Sequence, residues 1–374
     1  MRVTELSLED FRSYERARLD LAPGITAFVG ANGQGKTNLL EAIHLLARGE
    51  SPRARDDTEL VRWGAVLART SATVERDAGS TRVELLLFAP PEGERRRPRR
   101  YLVNGAGKRA EDALGEIVVV AFFPEDVELL SAAPAARRRY LDAMLGQVDR
   151  VHRGETREYA RVVEQRNALL RALSAARGTG EGGLPATELA FWDAELCRLA
   201  ARISLRRERA VDELRPAFER EAGRFAGAPG STIAYAGQVT PTEAAEREEA
   251  YRELVVAKRD RELWQATTLV GPHREDLAVR VAGRPLATFA SRGEHRSAVL
   301  ALKLAEAGWL RDRTGDPPIF LLDDVLSELD PARRSALVDA LPPDAQTLLT
   351  AALPAGLPAG IVERARVVAV PLAA

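Results

Sequence analysis

The clearest chemical signal in this sequence is the stretch of residues 30–37, which reads Gly-Ala-Asn-Gly-Gln-Gly-Lys-Thr. It matches the G-x-x-x-x-G-K-[ST] pattern of a phosphate-binding loop, whose glycines let successive backbone N–H groups face phosphate oxygens. In such a loop Lys36 contacts the β- and γ-phosphates, and the Thr37 hydroxyl completes the coordination of Mg²⁺. The alternative is a glycine-rich turn without a ligand. The predicted nucleotide-binding residues are Gly30, Ala31, Asn32, Gly33, Gln34, Gly35, Lys36 and Thr37.

A second candidate group is the pair of carboxylates at Asp323 and Asp324, directly after the apolar segment Ile319–Leu322. Ligands bind at the carboxyl ends of strands in open α/β sheets. In a phosphate-loop ATPase the first carboxylate holds Mg²⁺, and the second positions or deprotonates the attacking water. Any strand may end in two aspartates at a turn. The presence of the phosphate loop in the same chain is what favours a catalytic role for this pair. We therefore expect Asp323 to bind the metal, and Asp324 and Lys36 to be catalytic.

A third candidate is the start of a long helical segment at Ser291, which is followed by Arg-Gly-Glu-His. A serine and a free glycine N–H at a helix start can bind an anion. The alternative is a simple helix cap, in which Ser291 or Glu294 satisfies backbone N–H groups.

The elements needed to position these residues are predicted on both sides of each motif. Ile25–Val29 is a short apolar strand before the loop, and apolar residues recur at helical spacing after it until Gly49. A second apolar strand leads into Asp323, and a helix follows Asp330, which is placed as its N-cap. The fold class predicted is α/β.

The middle of the chain differs in composition from its two ends and is rich in Arg, Glu, Ala and Leu. Segments 134–173 and 189–225 show helical periodicity and flank a glycine-rich link at 178–185. They predict a helical hairpin with helices of ~40 residues, about 60 Å long. The predicted domains are an N-terminal head lobe, a helical lever arm and a C-terminal head lobe, at 1–130, 131–262 and 263–374.

Charge and composition restrict the possible partners. The 374 residues carry a formal net charge of −1, so DNA binding requires a local basic patch. The single cysteine excludes an intramolecular disulfide and a cysteine-based zinc site. No signal peptide or membrane-length apolar run is present, so we expect a cytoplasmic protein without membrane contact. The densest basic cluster surrounds a hairpin turn and is either a solvated tip or a DNA contact surface: Arg95, Arg96, Arg97, Arg99, Arg100, Lys108 and Arg109.

Together these motifs resemble those of ABC-type ATPase heads. Their Walker A, signature, Walker B and D-loop motifs correspond to residues 30–37, 291–295, 321–324 and 327–330. The helical insertion after the first motif is similar to that of the SMC branch. Further segments resemble the RecF family of bacterial recombination mediators, in the family's order over nearly the whole chain: 51–53, 57–61, 123–127, 137–142, 165–167 and 270–277.

The resemblance implies an ABC/SMC-type ATPase head with ATP and Mg²⁺ as cofactors and an active site shared by two subunits. Ser291 and Gly293 of one subunit would meet the γ-phosphate bound by another, with Asp330 near the same interface. Arg12 would touch the nucleotide.

The sequence also departs from the pattern. Segment 123–124 lies where a Q-loop glutamine is usual and has none, and His295 replaces a more usual glutamine or lysine. Asp324 is one methylene shorter than the usual glutamate, which suggests slow turnover. Thr350 follows a predicted strand where a switch histidine is usual.

We interpret the chain as an ATP-gated, DNA-binding homodimer with weak, DNA-stimulated ATPase activity. The resemblance implies recognition of duplex DNA next to single-stranded gaps, and RecA loading together with RecR and RecO. Three other classes fit less well. An ABC transporter subunit has no long helical arm, and a full-length SMC protein needs an arm far longer than this hairpin. A nucleotide kinase would lack the signature motif. The remaining alternative is a clamp that binds ATP without significant hydrolysis.

Overall fold

The computed structural model describes residues 1–89, 99–179, 186–225, 230–327, 329–353 and 357–371. The chain divides into two compact units. The first consists of Met1–Leu130, Ala217–Ser231 and Val281–Ala374, and the second of Ser131–Pro216 and Thr232–Arg280. The predicted three-part division, with boundaries after residues 130 and 262, stays a prediction about domains.

The structure confirms the α/β class. Its strands are β1 (Arg2–Phe11), β2 (Tyr14–Asp20), β3 (Ile25–Val29), β4 (Leu67–Arg76), β5 (Gly79–Phe88), β6 (Arg100–Val103), β7 (Ala106–Lys108), β8 (Val119–Phe122), β9 (Ser231–Ala236), β10 (Asp276–Val281), β11 (Arg284–Pro285), β12 (Ile319–Leu322), β13 (Thr347–Ala351) and β14 (Ala365–Ala369). Its helices are α1 (Lys36–Arg48), α2 (Ala110–Ala113), α3 (Pro134–Gly146), α4 (Arg150–Thr179), α5 (Ala186–Arg224), α6 (Ala244–Gln265), α7 (Leu286–Phe289), α8 (Arg292–Thr314), α9 (Pro331–Ala340) and α10 (Ala359–Val362).

A parallel sheet in the first unit has the strand order β14-β3-β13-β12-β8. Every residue of β3, β8, β12 and β13 is buried. This explains their continuous apolar sequences, because strands covered on both faces need no polar face. Since β13 pairs in parallel with both β3 and β12, the carboxyl ends of β3 and β12 lie at the same edge of the sheet.

An antiparallel sheet with the order β2-β1-β4-β5-β6-β7 forms the other layer of this unit. A register shift between Val3 and Glu5 lets Val3, Leu6 and Leu8 all be buried, although they do not alternate strictly. Helix α1 shares one hydrophobic core with both sheets, and Leu40 and Ile43 within it are fully buried. Truncating either to alanine would cost about 2–5 kcal/mol of stability.

The second unit is helical, but the predicted first helix is wrong in length. Segment 134–173 contains two helices, α3 and α4, because Asp149 interrupts it: its carboxylate accepts a hydrogen bond from the backbone N–H of His152 at 2.8 Å and caps α4. Helix α4 has 30 residues, about 45 Å, whereas α5 has 39. Segment 233–262 contains β9 and α6.

Ion pairs show that α4 and α5 run antiparallel. Arg198 of α5 binds Glu158 of α4 at 3.1 Å, and Asp193, earlier in α5, binds Arg166, later in α4, at 2.9 Å. The pairing therefore moves in opposite directions along the two helices, as in the expected hairpin. None of the helices in the described ranges is both long and apolar enough to span a bilayer.

Candidate nucleotide-binding site

The phosphate loop (residues 30–37) connects β3 to α1. Gly35 caps α1 with φ 96°, a left-handed conformation that strains any side chain. A Cβ on Gly35 would lie 2.9 Å from Ser13 Oγ, and a Cβ on Gly30 would lie 2.0 Å from the backbone oxygen of Val370. Close packing therefore requires glycine at both positions. The start of α1 with its free N–H groups suits an anion.

Lys36 places its ammonium group inside this loop. Its Nζ donates to the backbone oxygens of Gly30 at 2.7 Å and Ala31 at 2.9 Å. An ammonium has three N–H donors, and across the described ranges these two oxygens are its hydrogen-bond partners. The carbonyls hold the positive charge in place, and one donor remains for a phosphate oxygen.

The sheet order brings the loop together with the first carboxylate. Thr37 Oγ1 donates to Asp323 Oδ1 at 2.9 Å, so the two predicted metal ligands are in contact. Thr350 Oγ1, on the strand between them, donates to the same oxygen at 2.8 Å. Thr350 stands where a switch histidine is usual, and no sequence pattern indicated this contact.

The charge on Asp323 suits a divalent cation. Asp323 is 3% exposed and forms no ion pair with any residue that the structure describes. Burial raises the pKa of Asp323, although its hydroxyl partners and the charge of Arg53 oppose this. No three His, Cys, Asp or Glu side chains group together as a metal site within the described ranges. This set fits Mg²⁺, which uses one or two carboxylates and takes its remaining ligands from phosphates and water.

Asp324 has an unusual backbone conformation, with φ 51°. Among residues with side chains, Asp and Asn tolerate this left-handed region best. The conformation is fixed by the Asp324 N–H, which donates to Thr350 Oγ1 at 2.9 Å, and by Ser327 Oγ, which donates to the Asp324 backbone oxygen at 2.8 Å. A glutamate here would be more strained, which gives a physical reason for the shorter acid.

Arg12 belongs to a polar network that sequence reasoning did not find. Its guanidinium donates to both oxygens of the buried Glu41 on α1, at 2.9 and 2.7 Å. Glu41 also accepts from Ser51 at 2.5 Å and from Arg53 at 2.6 Å, and Arg53 donates to Asn38 at 2.9 Å. Burial raises the pKa of Glu41, but its three partners Arg12, Ser51 and Arg53 outweigh this effect and lower it. Arg53 therefore lies near the loop and Asp323. Its place in the family segment 51–53 was the one sequence feature that could have indicated a role at this site.

Ser291 begins α8 as a helix cap. Its Oγ accepts from the N–H of Glu294 at 3.3 Å, and its own N–H donates to the Glu294 carboxylate at 2.7 Å. This is the reciprocal capping box. Capping and a second role at an interface are compatible, because the hydroxyl retains a donor.

The other two predicted interface residues lie beside α9. Asp330 caps that helix by accepting from the N–H of Arg333 at 3.0 Å, and its carboxylate also pairs with the Arg333 guanidinium. A Cβ on Gly293 would lie 3.0 Å from the same guanidinium. In the part of the chain that the structure describes, no hydrogen bond joins Ser291 or Asp330 to the phosphate loop.

The segment at the expected Q-loop forms a short 3-10 helix, Pro124–Glu128, immediately after β8. Asp126 accepts from the N–H of Phe123 at 2.8 Å and pairs with Lys303 of α8 at 3.3 Å. The N–H of Asp323 donates to the backbone oxygen of Phe122 at 2.9 Å. This segment thus connects Asp323 with the helix that Ser291 begins.

The basic hairpin residues differ in their surroundings. Lys108 and Arg109 are exposed on and just after β7, and Arg100 lies over the Phe88 ring. Arg99 instead donates to Asp57 at 2.5 Å and is partly buried, so a phosphate would have to compete with that carboxylate. Three further predicted contacts lie outside the described residues: Arg95, Arg96 and Arg97.

Comparisons with known proteins agree on one family. The profile of the RecF/RecN/SMC N terminal domain matches residues 2–354. The DNA replication and repair protein RecF of Roseiflexus castenholzii is 42% identical, covering 94% of this chain and 93% of its own length. The RecF of Geobacillus kaustophilus is 37% identical, covering 98% of this chain and 97% of its own.

Solved structures show the same relationship. One described as the recombination mediator protein RecF-ATPrS in RecFOR pathway has a TM-score of 0.85 and 28% identity, covering 96% of this chain and 94% of that chain. An Smc head bound to the C-winged helix domain of ScpA has a TM-score of 0.51 and 15% identity, covering 98% and 93%, which shows a shared fold alone. The chain therefore belongs to the RecF family of DNA replication and repair proteins, and its fold is that of an ABC/SMC-type ATPase head.

Proposed function

We propose that this chain is an ATP-dependent, DNA-binding recombination mediator that dimerises when it binds Mg²⁺ and ATP. It binds duplex DNA next to single-stranded gaps and, with RecR and RecO, helps load RecA during repair and replication restart in the cytoplasm. The observation that carries the proposal is the contact of Thr37 with Asp323 at 2.9 Å beside the loop that encloses Lys36. The related RecF structure described with ATPrS in the RecFOR pathway supports both the ligand and the partners.

The roles we assign follow from the geometry of the site. Lys36 and the loop N–H groups bind the phosphates. Thr37 and Asp323 would hold Mg²⁺, which would supply positive charge to stabilise the phosphate oxygens. Asp324 orients or deprotonates the attacking water. Arg12 and Arg53 supply positive charge at positions fixed by Glu41.

The proposed active site is completed by a second subunit. Ser291, Gly293 and Asp330 lie at the starts of two helices, and among the described residues no hydrogen bond joins them to the phosphate loop of their own chain. A two-fold dimer places each of these groups over the loop of the other subunit. This arrangement makes dimerisation depend on ATP.

For DNA binding we retain the basic hairpin, without Arg99 as a primary contact. Arg100, Lys108 and Arg109 are available at the surface of the antiparallel sheet, with Arg95, Arg96 and Arg97 preceding them in the sequence. Arg99 is partly buried and forms an ion pair with Asp57, so we assign it a structural role.

A clamp that binds ATP without significant hydrolysis is the second candidate. Two observations favour it: the 123–127 segment provides no glutamine, and the Asp324 side chain is short. The two candidates differ in whether Asp324 is catalytic.

The variant Asp324→Asn separates them. Asparagine tolerates φ 51° as well as aspartate does, so the fold and ATP affinity should not change. If Asp324 assists the attacking water, steady-state ATP turnover in the presence of DNA should fall by at least about a hundredfold, the usual contribution of a general base. The ATP-bound dimer should then last longer. Equal turnover in the variant and the wild type would exclude this role, and an absence of turnover in the wild type would favour the clamp.

The proposal as a whole is tested by light scattering of the wild-type protein with and without Mg²⁺-ATP and gapped duplex DNA. We expect a monomer alone, a dimer with ATP, and a dimer–DNA complex with both. A protein that stays monomeric with saturating ATP and DNA would contradict the ATP-gated mechanism.

A further inference from the structure

Three sequence segments that the proposed ATPase chemistry does not use meet inside the second unit. From segment 137–142, Arg137 binds both oxygens of Asp276 at 2.8 and 2.6 Å. From segment 270–277, His273 accepts from the Tyr159 hydroxyl at 2.6 Å, and Glu275 accepts from the Tyr251 hydroxyl at 2.5 Å. From segment 165–167, Arg166 donates to Thr268 and Glu262. These contacts hold residues 268–276 in a buried polar frame that includes Glu262.

Most buried arginines of this frame are neutralised by carboxylates. Arg207 binds both oxygens of Asp142, at 2.9 and 2.7 Å, and donates to the backbone oxygen of Pro272 at 2.8 Å. Arg137 and Arg166 are paired in the same manner. Such pairs offset the cost of removing a guanidinium from water.

Arg138 and Arg274 are held differently. Arg138 donates to the backbone oxygen of Glu275 at 2.9 Å, and Arg274 donates twice to the backbone oxygen of Thr268, at 3.0 and 2.7 Å. Within the described ranges neither guanidinium forms an ion pair. Carbonyl oxygens fix their positions, and no carboxylate within the described ranges pairs directly with either positive charge.

The surroundings of Arg138 disfavour its positive charge. Burial lowers the pKa of Arg138, and the positive charges of Arg207 and Arg274 lower it further against the attraction of Asp276. Arg138 also lies in the second turn of α3 beside the exposed Arg139, so two cations are adjacent on this part of the helix. A bound anion would relieve both effects.

We propose that Arg138 and Arg274, with Arg139 beside them, contact the phosphate backbone of DNA. The inference deepens the proposed DNA binding, on which it rests, by assigning a second contact site on the helical unit. Each guanidinium keeps N–H donors that its backbone partners do not use, and a guanidinium fork matches the geometry of phosphate oxygens. Because the frame fixes both groups before binding, little side-chain freedom is lost in the complex.

The test compares Arg138→Gln/Arg274→Gln with a matched control, Arg161→Gln/Arg209→Gln. The control removes two exposed arginines from α4 and α5 of the same unit and makes the same change in charge. Binding of fluorescent gapped duplex DNA is measured with ATP at several salt concentrations. Log K falls as log salt rises, and the magnitude of this negative slope should decrease by about 0.9 per lost phosphate contact, about 1.8 for the double variant. In the control the slope should stay unchanged.

Each outcome is informative. A double variant with the wild-type slope and affinity would overturn the inference, as would an equal loss in the control. A variant that keeps DNA binding but no longer binds poly-glutamate would assign the site to an acidic protein segment instead. A wild type that does not bind DNA would overturn the proposed function itself. If the double variant unfolds, the single variant Arg274→Gln, at an exposed position, should still reduce the magnitude of the slope by about 0.9.

Discussion

Replacing Lys36 with methionine is expected to abolish ATP binding at concentrations that saturate the wild type. The ammonium is held inside the loop by two carbonyls, so its charge faces the phosphates without further rearrangement. Losing a charged hydrogen-bond partner of the phosphates costs about 3 kcal/mol, roughly a hundredfold in affinity. Lys36→Arg keeps a cation and should retain part of the affinity, but its planar group should block hydrolysis. Titration with a fluorescent ATP analogue measures both variants.

Lys258→Met is the matched control for this experiment. It makes the same chemical change on α6, in the other compact unit, and should leave ATP affinity unchanged. Because Lys36 also binds two loop carbonyls, thermal unfolding of Lys36→Met must be measured beside the titration. A folded Lys36→Met protein with wild-type ATP affinity would disprove the assignment of the phosphate loop.

The main parts of the candidate site could be predicted because each one has a local signature. The loop has a fixed spacing between two elements of opposite periodicity, and Asp323 ends a continuous apolar strand. Parallel strands place their carboxyl ends at one edge, so the α/β class predicts that the loop and Asp323 lie at the same edge of the sheet. The contact between Thr37 and Asp323 also depends on the strand order, which brings β3 and β12 to either side of β13.

The remaining contacts depend on residues that are distant in sequence and carry no local pattern. Glu41 is one polar position in an otherwise apolar stretch of α1, and its partner Arg12 lies 29 residues away. Thr350 reaches Asp323 only because β13 lies between β3 and β12. Arg99 belongs to a basic run by composition, but its ion pair with Asp57 leaves it partly buried. Tertiary contacts decided these three cases.

The break between α3 and α4 has a different cause. Alanine, arginine and leucine dominate segment 134–173, so helical propensity alone favours one continuous helix. The break forms because the Asp149 carboxylate accepts a hydrogen bond from the backbone N–H of His152. This N–H lies in the first turn of α4 and has no partner within the helix, so the cap outweighs helical propensity. Aspartate is a preferred N-cap residue, so Asp149 within this segment was a weak signal that could have been used.

The second large effect is expected for Ser291→Arg. The proposed composite site places Ser291 over the γ-phosphate of a partner subunit, so a bulky cation there should abolish ATP-dependent dimerisation and hydrolysis. ATP binding by the monomer should be nearly unchanged, because that site is built by the phosphate loop and Asp323. Sizing by light scattering and titration with an ATP analogue give the two readouts.

The control is Ser291→Ala, since either substitution removes the hydroxyl that accepts from Glu294. Losing this cap costs about 1 kcal/mol in either variant, so both should show a similar decrease in thermal stability. If dimerisation is lost in Ser291→Arg and retained in Ser291→Ala, the added bulk and charge at the interface are responsible. Wild-type dimerisation of Ser291→Arg would show that the trans arrangement is wrong.

Mixing the two inactive proteins gives the sharpest test of a shared site. In a dimer of Ser291→Arg with Lys36→Met, one composite site carries both lesions and the other carries neither. Random pairing makes half of the dimers mixed, so mixing should restore at most about a quarter of the intact sites of the wild type. A site formed within one subunit would leave every site with one lesion, and no activity would return. Turnover that rises on mixing therefore requires the phosphate loop and Ser291 to act from different subunits, and turnover that stays at the level of the separate variants argues that they do not.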